Sequence, residues 1–78
     1  MSIFDQLGRA ARQAQEQGII TQQLAERISR ISADRLHYKH LGLELHGLMA
    51  HMVPVAGRGA AAAIETLVQQ IEAKHRRS

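Results

Sequence analysis

Between Gln22 and Val53 the chain has no proline and no Asn-Gly or Gly-Pro pair, so no strong signal in that stretch stops a helix. Leu24, Ile28, Ile31, Tyr38, Leu45, Met49 and Met52 fall there on one stripe at helical spacing. Read straight through, the pattern predicts one helix over 22–53, of about 32 residues and roughly 48 Å. Its weak point is Ser32-Ala33-Asp34, because Ser and Asp favour caps and turns. A kink or a one-residue break there is the alternative.

The flanks carry their own punctuation. Ser2 with Asp5 three residues on is a variant capping box. Ile3, Phe4, Leu7, Ala10, Ala11 and Ala14 follow at helical spacing, and Gly18 suits the left-handed position past a helix end. This predicts a first helix over 3–17. Thr21 is the next N-cap candidate. Pro54 and Gly57-Arg58-Gly59 end the long helix, and Ala61, Ile64, Leu67, Val68 and Ile71 predict a third helix over 60–76. A basic tail covers 74–78. The expected fold is all-α: a single domain over 1–78, three helices, one long and central.

A chain of 78 residues is short for a self-sufficient core. Domains of this size bury only about 60% of the surface their unfolded chains expose. Aromatic residues make up 3% of the chain, and it has no cysteine, which excludes disulfides and thiolate zinc sites. Such a bundle is expected to complete itself by dimerisation or with a partner.

The segment from Leu36 to Met52 shows where. At about 100° per residue, Tyr38, Leu41, Leu45, Leu48, Met49 and Met52 form one arc, the core face of the long helix. Leu36, Leu43 and Ala50 lie elsewhere at seven-residue spacing, with His40 and Gly47 between them and His46 beside them. That is the rhythm of a coiled-coil seam, and Gly47 and Ala50 allow close backbone approach. Either the third helix covers this second stripe in a simple monomer, or a subunit or foreign partner does. A helix in a small monomer needs only one buried face, so the second reading is preferred.

Chemistry finds little purchase. The five histidines invite a metal, but His40 and His51 are about 16 Å apart along a helix. His37 and His40 have no further ligand at zinc spacing, so no metal and no cofactor is expected. No phosphate loop or triad pattern is present, and an enzyme is not expected. Net charge is +3 with a pI near 10.2. The two signs are interleaved, a weak pointer to nucleic acid. Residues Gly18–Ile28 look like the first helix of a helix-turn-helix, but Ile28 and Ile31 continue the same helix where a turn belongs. In that alternative, a small basic DNA-binding protein with a degenerate helix-turn-helix, Arg27, Arg30 and Arg35 would contact phosphates. No basic-then-apolar leader and no run of roughly 20 apolar residues is visible. The expectation is a cytoplasmic protein away from membranes.

Leu36-His37-Tyr38 through Glu44-Leu45-His46-Gly47-Leu48-Met49 resembles the long-helix segment of the TraM-type antiactivators, with Tyr38, Glu44, His46 and Met49 at matching spacing. Members of that family restrain quorum-sensing control of conjugative transfer. They end soon after this helix, whereas this chain continues through Pro54 and a third helix. The resemblance implies an all-α protein that sequesters a LuxR-type transcriptional activator, or another activator in a conjugative element. The expected function is therefore a small protein-binding regulator. A phage-encoded inhibitor of host defence is a further alternative of the same class.

Overall fold

A computed structural model describes residues 2–52 and 60–77, with side chains of the last helix described over 61–74. Most of these residues are helical, with no strand among them. The elements are α1 (Ile3–Glu16), α2 (Gln22–Ala33), the single turn α3 (Arg35–Tyr38), a 3-10 turn (Lys39–Leu41), α4 (Gly42–Met52) and α5 (Ala60–Arg77). The stop signals at Pro54 and Gly57–Gly59 lie outside the described residues.

Both N-cap signals act locally. The Ser2 hydroxyl accepts from the Asp5 N–H at 3.4 Å, and the Thr21 hydroxyl accepts from the Leu24 N–H at 3.2 Å. Gly18 has φ +75, the left-handed conformation that glycine adopts without a Cβ penalty. Around it the Ile19 N–H donates to the Ala14 carbonyl at 2.9 Å and the Gly18 N–H to the Gln15 carbonyl at 3.0 Å. This is a Schellman ending. It lets the short 17–21 connection fold α2 back along α1.

The single helix expected over 22–53 is divided, which corrects the three-helix reading. Asp34 leaves helical geometry at φ −106, ψ 63. Its carboxylate meets His37 Nδ1 at 2.6 Å instead of capping α3. Tertiary contacts hold the chain on both sides of this break. The Ser32 hydroxyl donates to the Phe4 carbonyl at 2.8 Å, and Arg35 pairs with Asp5. A second irregularity follows at Lys39–Leu41, yet the buried positions keep their phase through it.

Among the described residues, seventeen hydrophobic side chains form one buried cluster drawn from every helix. Leu7, Ala11 and Ala14 bring α1 against α2, where Leu24, Ala25, Ile28 and Ile31 are buried. The small residues toward the end of α1 let the two backbones approach. α4 packs on both α1 and α5, and α5 contributes Ile64, Val68 and Ile71. No buried polar side chain among the described residues lacks a hydrogen-bond partner.

Candidate functional site

The core face and the second stripe sit on opposite sides of the α3–α4 segment. Tyr38, Leu41, Leu45, Leu48 and Met52 are buried at alternating three- and four-residue steps, and Met49 is half-buried against them. In heptad terms these are the a and d positions, which puts Leu36, Leu43 and Ala50 at f, the outermost position. Leu36 is 80% exposed and Leu43 87%, the only large hydrophobic side chains so exposed among the described residues. Ala50, His40 and His46 are also exposed, and Gly47 is half-exposed.

α5 therefore does not cover the second stripe. It packs on α4 from the side of Leu45 and Leu48. A Cβ built on Gly47 or Gly42 would meet nothing within 4 Å, so none of the described residues uses the close approach that Gly47 permits. The stripe faces outward.

The ion pairs around this segment tie its ends to the rest of the bundle. Lys74 Nζ on α5 donates to Glu44 Oε1 at 2.6 Å. That bond, more than the general field, holds the Glu44 carboxyl below its ordinary range. Arg27 reaches from α2 to α5 and grips Glu72 with two nitrogens, at 2.5 and 3.3 Å, with Glu65 4.0 Å away. Hydrogen bonding to Glu72 raises the Arg27 pKa. Burial pushes the Tyr38 hydroxyl up, helped by the nearby Glu72 and Asp34 carboxylates.

These pairings bear on the three arginines of the nucleic-acid alternative. Arg27 is committed to Glu72 and Arg35 to Asp5, while Arg30 stands exposed. The element after α2 is the single turn Arg35–Tyr38 rather than a recognition helix. Arg30 instead joins two exposed arginines outside that set: Arg9, Arg12 and Arg30 line two adjoining open grooves between α1 and α2 that share Arg12 and Ser29 and also take in Asp5 and Glu26. Sequence reasoning missed that grouping, because it depends on how α2 folds back on α1.

His51 Nδ1 lies 2.9 Å from the Gly47 carbonyl and His37 is engaged by Asp34. Among the described residues no three His, Asp or Glu side chains are placed to hold a metal ion. No helix among them is long and apolar enough to cross a membrane. In comparisons with known proteins, no family model, curated protein or solved structure matches this chain.

Proposed function

We propose that this chain is a small protein-binding regulator that docks its partner on the outward face of α3 and α4. The observation that carries this reading is the exposure of Leu36 and Leu43 at heptad-related positions opposite the core. Large leucines left 80% and 87% in water do nothing for the fold. Binding energy in helix-to-protein contacts usually concentrates in a few such apolar anchors. Gly47 and Ala50 continue the stripe and leave room for a second helix to lie close. The partner most in keeping with the resemblance of this segment to the TraM-type antiactivators is a transcriptional activator, which the chain would sequester from DNA.

A second reading, a small basic nucleic-acid-binding protein, draws on Arg9, Arg12 and Arg30 around the α1–α2 grooves. Phosphate contacts alone would give binding that weakens steeply with salt and reads no sequence.

An affinity pull-down from the native host, with and without nuclease, separates the two. The docking reading expects recovery of one transcription factor that survives nuclease and is lost on Leu43→Asp. Material that disappears with nuclease, and with charge removal at Arg9, Arg12 and Arg30, would replace it with the nucleic-acid reading.

A further inference from the structure

The outward face of α3 and α4 has a rim of one character. From Arg35 to Met52 the sequence contains a single carboxylate, Glu44, and four histidines besides Lys39. Glu44 is held by Lys74 at 2.6 Å, and Arg35 is neutralised by Asp5. Lys39 and His46 remain, both exposed and neither with an ion-pair partner among the described residues, while the exposed His40 lies near Glu44. One turn on from Leu43, His46 and Gly47 lie on either side of it, and Lys39 and His40 stand in the 3-10 turn just before it, between Leu36 and Leu43. The apolar stripe thus runs between imidazole hydrogen-bonding groups and the positive charge of Lys39, and the one carboxylate of the segment, Glu44, is taken by Lys74.

This rim decides between occupants. Two leucines and an alanine fall well short of the roughly 800 Å² per partner that a stable interface buries, so the rim must contribute. A second copy of the chain would set the Lys39 ammonium against a rim whose only unpaired full charge is another Lys39. Like charges across an interface oppose association and select against that pairing. Carboxylates in those places would instead answer Lys39 directly and accept from the imidazoles.

We propose that the occupant is an amphipathic helix of another protein whose apolar residues are flanked by aspartate or glutamate, rather than a second copy of this chain. The inference rests on the docking face proposed above and names the chemistry of its partner. Leu36 and Leu43 anchor the helix, while Lys39, His40 and His46 set its orientation and speed its arrival.

The test uses two labelled synthetic amphipathic helical peptides with the same leucine stripe, one carrying Glu and the other Lys at the flanking positions. Binding to the full chain is followed by fluorescence anisotropy at low salt. The Glu peptide should bind at least roughly tenfold more tightly. Lys39→Glu combined with His46→Glu should erase or reverse that preference, and sedimentation should show the wild type as a monomer at high micromolar concentration. Leu43→Asp should abolish binding, with helical circular dichroism and melting unchanged; Leu36→Ala gives a milder check should the charged variant misfold.

Equal affinity for the two peptides, or a preference that survives the charge swap, overturns the acidic partner. If both peptides are then still lost on Leu43→Asp, the docking face stands without it. A wild-type dimer that Leu43→Asp dissociates also overturns the proposal, in favour of a second copy. If neither peptide binds, or if Leu43→Asp changes nothing, the docking face falls together with its acidic partner.

Discussion

The Ser32 hydroxyl donates to the Phe4 carbonyl at 2.8 Å, and the same oxygen lies 3.0 Å from where a Cβ on Gly8 would stand. One hydroxyl thus ties the end of α2 to the start of α1 and occupies the space left by the missing side chain. Gly8→Ala brings a helix-propensity gain of about 1 kcal/mol. Its methyl group, however, must push the Ser32 oxygen off the Phe4 carbonyl, at a cost of similar size. The substitution is expected to be neutral or destabilising in the wild type. In a Ser32→Ala background it should stabilise by about 0.5–1 kcal/mol. Urea denaturation of the four-member cycle measures the difference, and additive effects would show that the two residues do not share this space.

Leu43 and Leu45 are two residues apart on α4 and should behave in opposite ways. Leu45 is fully buried, so Leu45→Ala is expected to cost about 2–5 kcal/mol through lost transfer energy and a cavity. Leu43→Ala should change stability by no more than about 0.5 kcal/mol. Thermal melts of the two variants side by side check this, and a large loss from Leu43→Ala would mean that the leucine is covered in solution.

Arg27 and Glu72 link α2 to α5 through two parallel hydrogen bonds, and both side chains are about one-third exposed or less. Glu72→Gln is expected to cost about 1 kcal/mol, less at high salt, because partial exposure screens the pair. Hydrogen exchange should show the loss mainly as easier opening of α5. A uniform rise in exchange across α1 and α2 as well would contradict that assignment.

Glu44 gives the fold a defined acid sensitivity. Its carboxyl is held below the ordinary 4.5 by the Lys74 hydrogen bond, so the folded state binds its proton less readily than the unfolded state. The stabilisation is present above that ordinary value and is lost as pH falls through the lower, folded-state value. Melting temperature should therefore drop on acidification below about 4.5, and Glu44→Gln should flatten that part of the profile. An unchanged profile in the variant would place the acid sensitivity on another carboxylate.

The parts of this fold that were legible in the sequence are those decided within a few residues. Ser2, Thr21 and Gly18 act on backbone groups three to five positions away, and each stands in the role its residue type favours. The seven-residue spacing of Leu36 and Leu43, two positions out of step with Tyr38 and Leu45, likewise marked a face that the core does not use. Asp34 was visible as a weak point, but its outcome depended on Phe4 and Asp5, about thirty positions away in sequence. The 3-10 turn at Lys39–Leu41 left no trace in the pattern, because Tyr38, Leu41 and Leu45 keep helical phase across it. Arg27 and Arg35 stood as candidate phosphate contacts in the nucleic-acid alternative because their carboxylates arrive from α5 and α1 only once the chain has folded.

The glycine turn at Gly18 also has a kinetic meaning. It joins two helices that pack on each other across only a few residues of connection, so this hairpin closes at small entropic cost. The contacts that join α5 to α2 span far more chain, as Arg27 and Glu72 do at a separation of 45 residues. Short-range pairings form before long-range ones repay their loop closure. The α1–α2 hairpin is thus the natural nucleus, and the closure of α5 onto α2 follows it. Changes at Ile64, Val68 or Ile71 should then register mostly as faster unfolding, while changes at Leu7 or Ile28 slow the approach to the native state.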